Sequence, residues 1–269
     1  MRKALIFALG ALACRVPAAR ALDFFELEVY RASTEGQGLH EIENQTTFVA
    51  NGRPGARAEE NEVPRHRLLR TTFEYNYGLT DKIDVAAYTL LQKPDGGDFE
   101  YAGSRFRIRG ALWEQGRFPL DLGWYVEAEL PHNTETDLEL EFRSIVSRDF
   151  GRVSVDVNPI FELPAVSEER RTLEFNYAAR VYYRLSRSLQ PGVEFFGDIG
   201  QIRDVDRSRE QQHYIVPVLY GRLLKRFRFA VGPGFGLTRA SDPVLVKLAL
   251  EYEFTLPTGG GPGRGAAPY

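Results

Sequence analysis

The stretch Tyr101–Leu130, YAGSRFRIRGALWEQGRFPLDLGWYVEAEL, contains two runs of alternating residues joined by Gly-Arg-Phe-Pro. Because successive side chains of a β-strand point to opposite faces, the first run places Arg105, Arg107 and Arg109 on one face. Phe106 and Ile108 lie on the other. The second run has an acidic face opposite an apolar face made of Leu120, Leu122, Trp124, Val126, Ala128 and Leu130. This pattern predicts a β-hairpin with one charged face and one apolar face.

Antiparallel pairing of the two runs about the turn sets Arg105 near Glu129 and Arg107 near Glu127, so opposite charges meet across the strands. Segments of the same form recur up to Phe254, and no amphipathic helix follows the N-terminal region. A sheet whose apolar face has no second layer to cover it can close on itself and expose that face to lipid. The predicted fold is therefore all-β, an antiparallel transmembrane β-barrel.

The connections between the predicted strands alternate in length. Short turns lie near residues 79, 117, 150, 186 and 225, and longer polar loops lie near residues 57, 95, 134, 167, 205 and 240. Outer-membrane barrels have short periplasmic turns and longer outer loops. Counting back from Phe254 gives about twelve strands, beginning at Glu41. Residues 22–254 are predicted to form this barrel, with residues 22–40 as an N-terminal periplasmic segment or an extra strand.

The two ends of the chain differ from the barrel in composition. In residues 1–21, Arg2 and Lys3 precede an apolar run and then small residues, which predicts a secretory signal peptide; acylation of Cys14, the only cysteine, is the alternative. Removal of this peptide takes four of the 34 basic residues and leaves 30 against 37 acidic residues, a formal net charge of −7. Nucleic-acid binding is not favoured by that balance. Residues 255–269, rich in Gly and Pro, are predicted to be a disordered tail.

Several turn and strand sequences resemble those of a known group of proteins. These are the run Tyr77–Val85 (YGLTDKIDV), the tripeptide EFR at residues 141–143, DFGR at 149–152 and VNP at 157–159. They resemble proteobacterial outer-membrane barrels similar to the transporter-like proteins named for the meta-cleavage phenol-degradation pathway. Residues 252–254 (YEF) resemble the last strand that the outer-membrane assembly machinery recognises. The resemblance implies a barrel in the cell outer membrane, in contact with the lipid bilayer and lipopolysaccharide.

The histidines are the candidates for a catalytic site, because some outer-membrane barrels are hydrolases. His66, His132 and His213 fall near the predicted outer ends of strands, where they could bind a metal or support hydrolysis. None stands in a His-x-Ser or His-Glu-x-x-His arrangement. We therefore expect exposed loop residues here, with no catalytic residues, no metal site and no cofactor, and we do not expect an enzyme.

The inward charges are the stronger functional feature. We predict that a set of basic and acidic side chains faces the interior of the barrel: Arg105, Arg107, Arg109, Glu127, Glu129, Glu139, Glu141, Arg143, Arg180, Arg228 and Lys247. Fixed charges that line a wet lumen select permeant solutes. The same charges, if fully paired, would instead close the interior. The three arginines on one strand favour the first interpretation, because unpaired arginines have no use in a closed interior.

The expected function is an outer-membrane channel or transporter that passes small polar or amphipathic solutes through a charged lumen. One alternative is a closed structural or adhesive barrel that acts through its outer loops. The other is a hydrolase at the rim, which requires one of the three histidines to meet a serine or a carboxylate.

Overall fold

The computed structural model describes residues 24–52, 63–132, 138–164, 172–186, 188–224 and 226–256. Its elements are all strands: β1 His40–Asn51, β2 Leu69–Thr80, β3 Ile83–Lys93, β4 Glu100–Ala111, β5 Asp121–Pro131, β6 Glu139–Phe150, β7 Val153–Pro164, β8 Glu174–Tyr183, β9 Leu189–Gln201, β10 Asp204–Val205, β11 Gln212–Leu223, β12 Phe227–Gly236 and β13 Val244–Phe254. The predicted signal peptide and nearly all of the predicted tail lie outside these described residues. No helix long and apolar enough to cross a membrane occurs in the described ranges.

Twelve of the strands close into one antiparallel barrel. Each pairs with its neighbours in the chain, β8 pairs with β9, and the circle closes where β1 pairs with β13. The two-residue strand β10 only extends β9 into the loop that follows it. The all-β fold and the twelve-stranded antiparallel barrel predicted from the sequence are thus confirmed.

The central hairpin has the register that its alternation predicts. Arg105 is the partner of Glu129, and Arg107 is the partner of Glu127, in the ladder between β4 and β5. Since a shift of one residue would turn every side chain to the opposite face, this register fixes which residues face the interior.

Burial in this barrel is inverted relative to a water-soluble protein. Phe73, Phe106 and Phe142 are each about half exposed on the outer face, whereas Arg107, Glu127 and other charged side chains are buried. Most of the barrel strands alternate in this way, with apolar residues outside and polar residues inside, although β11 turns Tyr214, Val216 and Val218 inward. Such an outer surface is stable only against an apolar medium, as in a transmembrane barrel.

The two ends of the barrel are distinguished by their connections. One end, which we call the turn end, has the short connections 81–82 between β2 and β3 and 151–152 between β6 and β7, together with the longer connection 112–120 between β4 and β5. The other end, which we call the loop end, has connections such as residues 52–68 between β1 and β2. The first residue of β1 and the last residue of β13 pair with each other at the turn end.

Residues 24–35, which we call the inner segment, correct the expectation of a periplasmic segment or an extra strand. No strand is assigned to them, and seven of the eight residues from Phe24 to Arg31 are buried. They contact inward side chains of β1, β2, β4, β6, β7 and β13, which lie on all sides of the closed sheet. The inner segment therefore runs through the barrel interior, with Phe24 towards the loop end and Glu35 towards the turn end.

A tight connection joins the inner segment to β1. The backbone N–H of Gly38 donates to the carbonyl of Gly78, and the N–H of Gly78 donates to the carbonyl of Leu39. Gly38 has a φ of 76°, in the left-handed region that favours glycine. A Cβ atom on Gly78 would lie 2.1 Å from the carbonyl oxygen of Gly36. Both glycines let the chain reverse direction at the turn end.

Candidate functional site in the barrel interior

All seven basic side chains singled out in the sequence point into the barrel, and each is bound by at least one carboxylate. Arg105 and Arg107 are buried on β4, Arg143 on β6, Arg180 on β8, Arg228 on β12 and Lys247 on β13, while Arg109 is slightly more exposed. Of the acidic set, Glu127 and Glu141 are buried, whereas Glu129 and Glu139 lie nearer the loop end and are partly exposed. Five of them, Arg105, Glu127, Glu129, Glu141 and Arg143, are joined through Glu26 of the inner segment into one network of ion pairs.

Glu26 of the inner segment lies at the centre of this network. Its carboxylate is 3.2 Å from a guanidinium nitrogen of Arg105 and 3.2 Å from one of Arg143. It also accepts a hydrogen bond from the hydroxyl of Tyr30 at 2.7 Å, while the hydroxyl of Tyr125, 3.4 Å away, donates to Glu127 at 2.5 Å. A carboxylate with three such partners offsets much of its desolvation cost. Glu26 therefore binds the inner segment to two strands of the barrel wall, β4 and β6.

The arginines of β4 have partners that the hairpin register alone does not give. Arg107 turns away from Glu127 and binds Glu74 on β2, at 3.1 Å, and Asp84 on β3, at 3.3 Å. Arg109 binds the other oxygen of Asp84 at 2.8 Å. The expectation of unpaired arginines on this strand was wrong, because the inward acids of β2 and β3 reach them.

The ring of Tyr30 occupies the space between these guanidinium groups. The guanidinium carbons of Arg107, Arg109 and Arg143 lie 5.4, 5.0 and 5.2 Å from its centroid. The ring of Tyr125 is 5.1 Å away. Cations near the face of an aromatic ring are attracted by its quadrupole. Tyr30 thus separates three like charges and is attracted to each of them.

Wall side chains also bind the backbone of the inner segment. The amide of Asn158 accepts from the N–H of Tyr30 at 2.6 Å and donates to its carbonyl at 2.9 Å. The hydroxyl of Ser147 accepts from the N–H of Ala32 at 2.9 Å, and that of Thr72 donates to the carbonyl of Phe25 at 2.8 Å. These contacts satisfy buried backbone groups that have no strand partner.

Asn158→Ala should loosen the middle of the inner segment. The substitution leaves two buried backbone groups of Tyr30 without their partner, at a cost of roughly 1–3 kcal/mol each. Hydrogen–deuterium exchange at the Tyr30 amide should become faster, while Asn44→Ala, which alters contacts within the wall, should leave it unchanged. An unchanged exchange rate in Asn158→Ala would show that Asn158 does not hold the segment.

Both ends of the inner segment are also fixed. Near the turn end, Arg31 binds Asp149 at 2.9 Å and the hydroxyl of Tyr182 at 3.0 Å. Near the loop end, Phe24 packs edge-on against Tyr214, with 5.7 Å between ring centroids, and Arg65 lies over its ring. Apolar contacts with residues such as Val49 and Leu245 complete this end.

The remaining space in the interior is small. A cavity of about 60 Å³ lies between the inner segment and the wall towards the turn end, and a second one, of about 20 Å³, lies beside Leu27 and Phe196. The larger volume is enough for a few water molecules. In this conformation the buried inner segment occupies the lumen of the barrel.

Comparison with known proteins gives similarity at the level of structure only. The NanC porin matches with a TM-score of 0.55 and 7% identity, over 81% of this chain and 100% of that one. An outer-membrane channel from Pseudomonas putida F1 matches with a TM-score of 0.55 and 11% identity, over 85% of this chain and 100% of that one. The fold is that of an outer-membrane β-barrel. No family model matches the chain, and no curated protein matches it.

The three rim histidines of this barrel are not assembled into a catalytic arrangement by the described residues. The imidazole of His213 contacts the hydroxyl of Tyr177 and the amide of Gln211, each at 3.0 Å. The hydroxyl of Ser241 accepts from the backbone N–H of His213 and donates to its carbonyl, and does not contact the imidazole. His132 packs on Tyr101, and no hydrogen bond or ion pair of His66 occurs within the described ranges. The geometry therefore gives no support to a serine or carboxylate that would act together with the imidazole of one of these histidines.

The inner segment is the part of the interior that the sequence analysis did not predict. Its alternation of Phe25, Leu27 and Val29 with Glu26 and Glu28 imitates a strand. One signal was available: a thirteenth spanning segment does not fit a barrel with an even number of strands. The two acids that precede β1, Glu26 and Glu28, could also have been matched to the inward arginines of β4 and β6.

Proposed function

We propose that this protein is an outer-membrane channel for small polar or amphipathic solutes, and that the conformation described is its closed state. The inner segment occupies the lumen in that state. In the open state, the eleven charged residues predicted from the sequence would line the passage and select solutes by width and charge. The short turns would face the periplasm and the longer loops the exterior.

One observation carries this proposal. From Phe24 to Glu35 the inner segment is bound to the wall mainly through side chains, such as those of Asn158, Arg105 and Ser147. The wall itself is closed by continuous ladders from β1 to β13 that do not include the segment. Displacement of the segment would therefore leave the barrel intact, with a polar lining that can be wetted. A barrel of twelve strands has an intermediate width between filled small barrels and open porins.

The other candidate is a closed structural or adhesive barrel, in which the inner segment is a permanent filling. The small remaining volume and the pairing of every predicted basic residue favour it. The two candidates differ in whether the segment can leave.

A reversible disulfide tests the channel proposal. A chain that begins at residue 22 contains no cysteine, since Cys14 is the only one. The N–H of Ala32 lies 2.9 Å from the hydroxyl of Ser147, so cysteines at these two positions come within reach of a disulfide. In planar bilayers, oxidised Ala32→Cys/Ser147→Cys protein should give no openings, and reduction should restore those of the unmodified chain.

The two single-cysteine variants, treated with the same oxidant, are the controls and should conduct like the unmodified chain. Equal conductance of the oxidised and reduced double variant would contradict a channel closed by the inner segment. A folded barrel that stays silent in both states, and also after the Glu26 substitution described below, would favour the closed structural barrel.

A further inference from the structure

Every connection at the turn end carries a basic residue. These connections join β2 to β3, β4 to β5, β6 to β7, β8 to β9 and β11 to β12. In the same order, their basic residues are Lys82, Arg117, Arg152, Arg184 and Arg226. Because the strands close into a barrel, these residues are distributed around the whole circumference of one end. We call them, together with Arg148 at the end of β6, the basic rim.

Most of the basic rim has no carboxylate partner. Five of its side chains are exposed and form no ion pair within the described ranges: Lys82, Arg117, Arg148, Arg152 and Arg226. Arg184 is bound to Asp149 at 2.9 Å. Among the described residues, the exposed acids at this end that have no basic partner are Asp81 and Glu114. The turn end therefore has a net positive charge.

Large apolar side chains are exposed on the same connections or at the strand ends beside them. They are between 44% and 93% exposed: Leu79, Phe118, Phe150, Leu185 and Leu224. The guanidinium carbon of Arg117 lies 5.7 Å from the ring centroid of Phe118, and that of Arg148 lies 4.9 Å from the centroid of Phe150. Leu224 has a φ of 52°, which is rare for a bulky residue. Apolar and basic side chains in such close alternation are typical of the boundary between the acyl chains and the headgroups of a bilayer.

The loop end has a different charge pattern. Arg67 binds Asp95 there, and Arg209 binds Glu210. Further exposed acids lie at the same end, among them Asp98, Glu100 and Asp204. Positive and negative charges are thus mixed at the loop end, whereas positive charge predominates at the turn end of the part of the chain that the structure describes.

We propose that the turn end binds anionic phospholipids, whose phosphate groups lie against the basic rim. A leaflet surrounds a barrel on all sides and would use the whole circumference, whereas a protein partner on one side would leave most of it unused. Guanidinium groups bind phosphate oxygens through charge-assisted hydrogen bonds, and lysine acts as a point charge. The exposed leucines and phenylalanines enter the adjoining acyl layer. This binding does not depend on whether the barrel conducts.

Quenching of tryptophan fluorescence by brominated lipids tests this binding. Both tryptophans of the chain lie beside the basic rim, Trp113 in the connection between β4 and β5 and Trp124 near the start of β5. The protein is refolded in phosphatidylcholine vesicles that contain a small fraction of brominated phosphatidylglycerol or, in parallel, of brominated phosphatidylcholine. The apparent binding constant should be at least about three-fold higher for phosphatidylglycerol, because basic residues near the bilayer surface concentrate anionic lipid.

Substitution of the nearest basic residues should abolish this preference. β6 is the neighbour of β5 in the barrel, so Arg148 and Arg152 lie close to the connection that carries Arg117 and Trp113. The joint change of these three arginines to glutamine should make the two brominated lipids quench nearly equally. The matched control changes three exposed arginines of the loop end to glutamine and should keep the preference: Arg203, Arg207 and Arg239.

Salt gives a second test, which needs no variant. At about 1 M salt the Debye length falls to about 3 Å, so the preference of the unmodified chain should largely disappear. Both leaflets of these vesicles have the same composition, so the orientation of the barrel does not affect the result. Equal quenching by the two lipids at low salt would overturn the proposal. So would a preference that persists at high salt or after the substitution of Arg117, Arg148 and Arg152.

Discussion

Glu26→Ala should give long openings in planar bilayers where the unmodified chain is mostly closed. Glu26 binds Arg105 through one carboxylate oxygen and Arg143 through the other, and its removal leaves both guanidinium groups with less compensation in a buried position. Truncating one partner of a buried charge pair costs about 3–5 kcal/mol. Since the barrel wall is unchanged, most of this loss falls on the binding of the inner segment. Each 1.4 kcal/mol is a factor of ten, so the displaced population should rise roughly a hundred-fold or more.

Glu129→Ala is the control for this experiment. Glu129 also binds Arg105, at 2.7 Å, but it belongs to β5 and has no described contact with the inner segment. Its removal should weaken the wall locally and leave the open probability close to that of the unmodified chain. If both variants stay closed, Glu26 does not hold the segment; if both open equally, the effect comes from Arg105 and not from the segment.

Once the lumen is open, its arginines should determine which ions pass. Arg105, Arg107 and Arg109 alternate along β4, and successive ones are about 6.6 Å apart in an extended strand. In the Glu26→Ala background, changing all three to glutamine should shift the reversal potential in a potassium chloride gradient towards the potassium equilibrium potential. Loss of fixed positive charge lowers the local concentration of anions in a narrow pore.

The control removes the same number of charges from outside the lumen. Arg117, Arg148 and Arg152 are exposed at the turn end. Their joint change to glutamine, in the same background, should leave the reversal potential nearly constant. A triple substitution on β4 with no effect on selectivity would mean that the ions do not pass along this wall.

The barrel could be predicted from the sequence because its determinants are local. Alternation has a period of two residues, so Arg105 and Phe106 already indicate opposite faces, and antiparallel pairing about Gly116 and Arg117 then gives the Arg105–Glu129 register. The contact between Asp84 and Arg109 could have been predicted by the same reasoning, since these residues are direct partners in the ladder between β3 and β4.

The inner segment could not be placed in this way. The contact of Tyr30 with Asn158 joins residues 128 positions apart, and that of Lys247 with Leu27 joins residues 220 apart. Side chains that meet across a lumen have no fixed spacing in the sequence. The alternation around Glu26 and Glu28 fits a further strand of the sheet as well as it fits a segment inside the barrel. Only the closed barrel shows that twelve other strands leave this segment no place in the sheet.

The pairing of β1 with β13 has a consequence for the order of events during folding. The inner segment directly precedes β1, and β1 is the strand that joins the last strand of the chain. Before this seam forms, the segment can reach the interior from the side. Afterwards it can enter or leave only along the barrel axis, attached at Gly38. The segment can therefore enter from the side only before β1 pairs with β13, and every later movement of the segment is along the barrel axis.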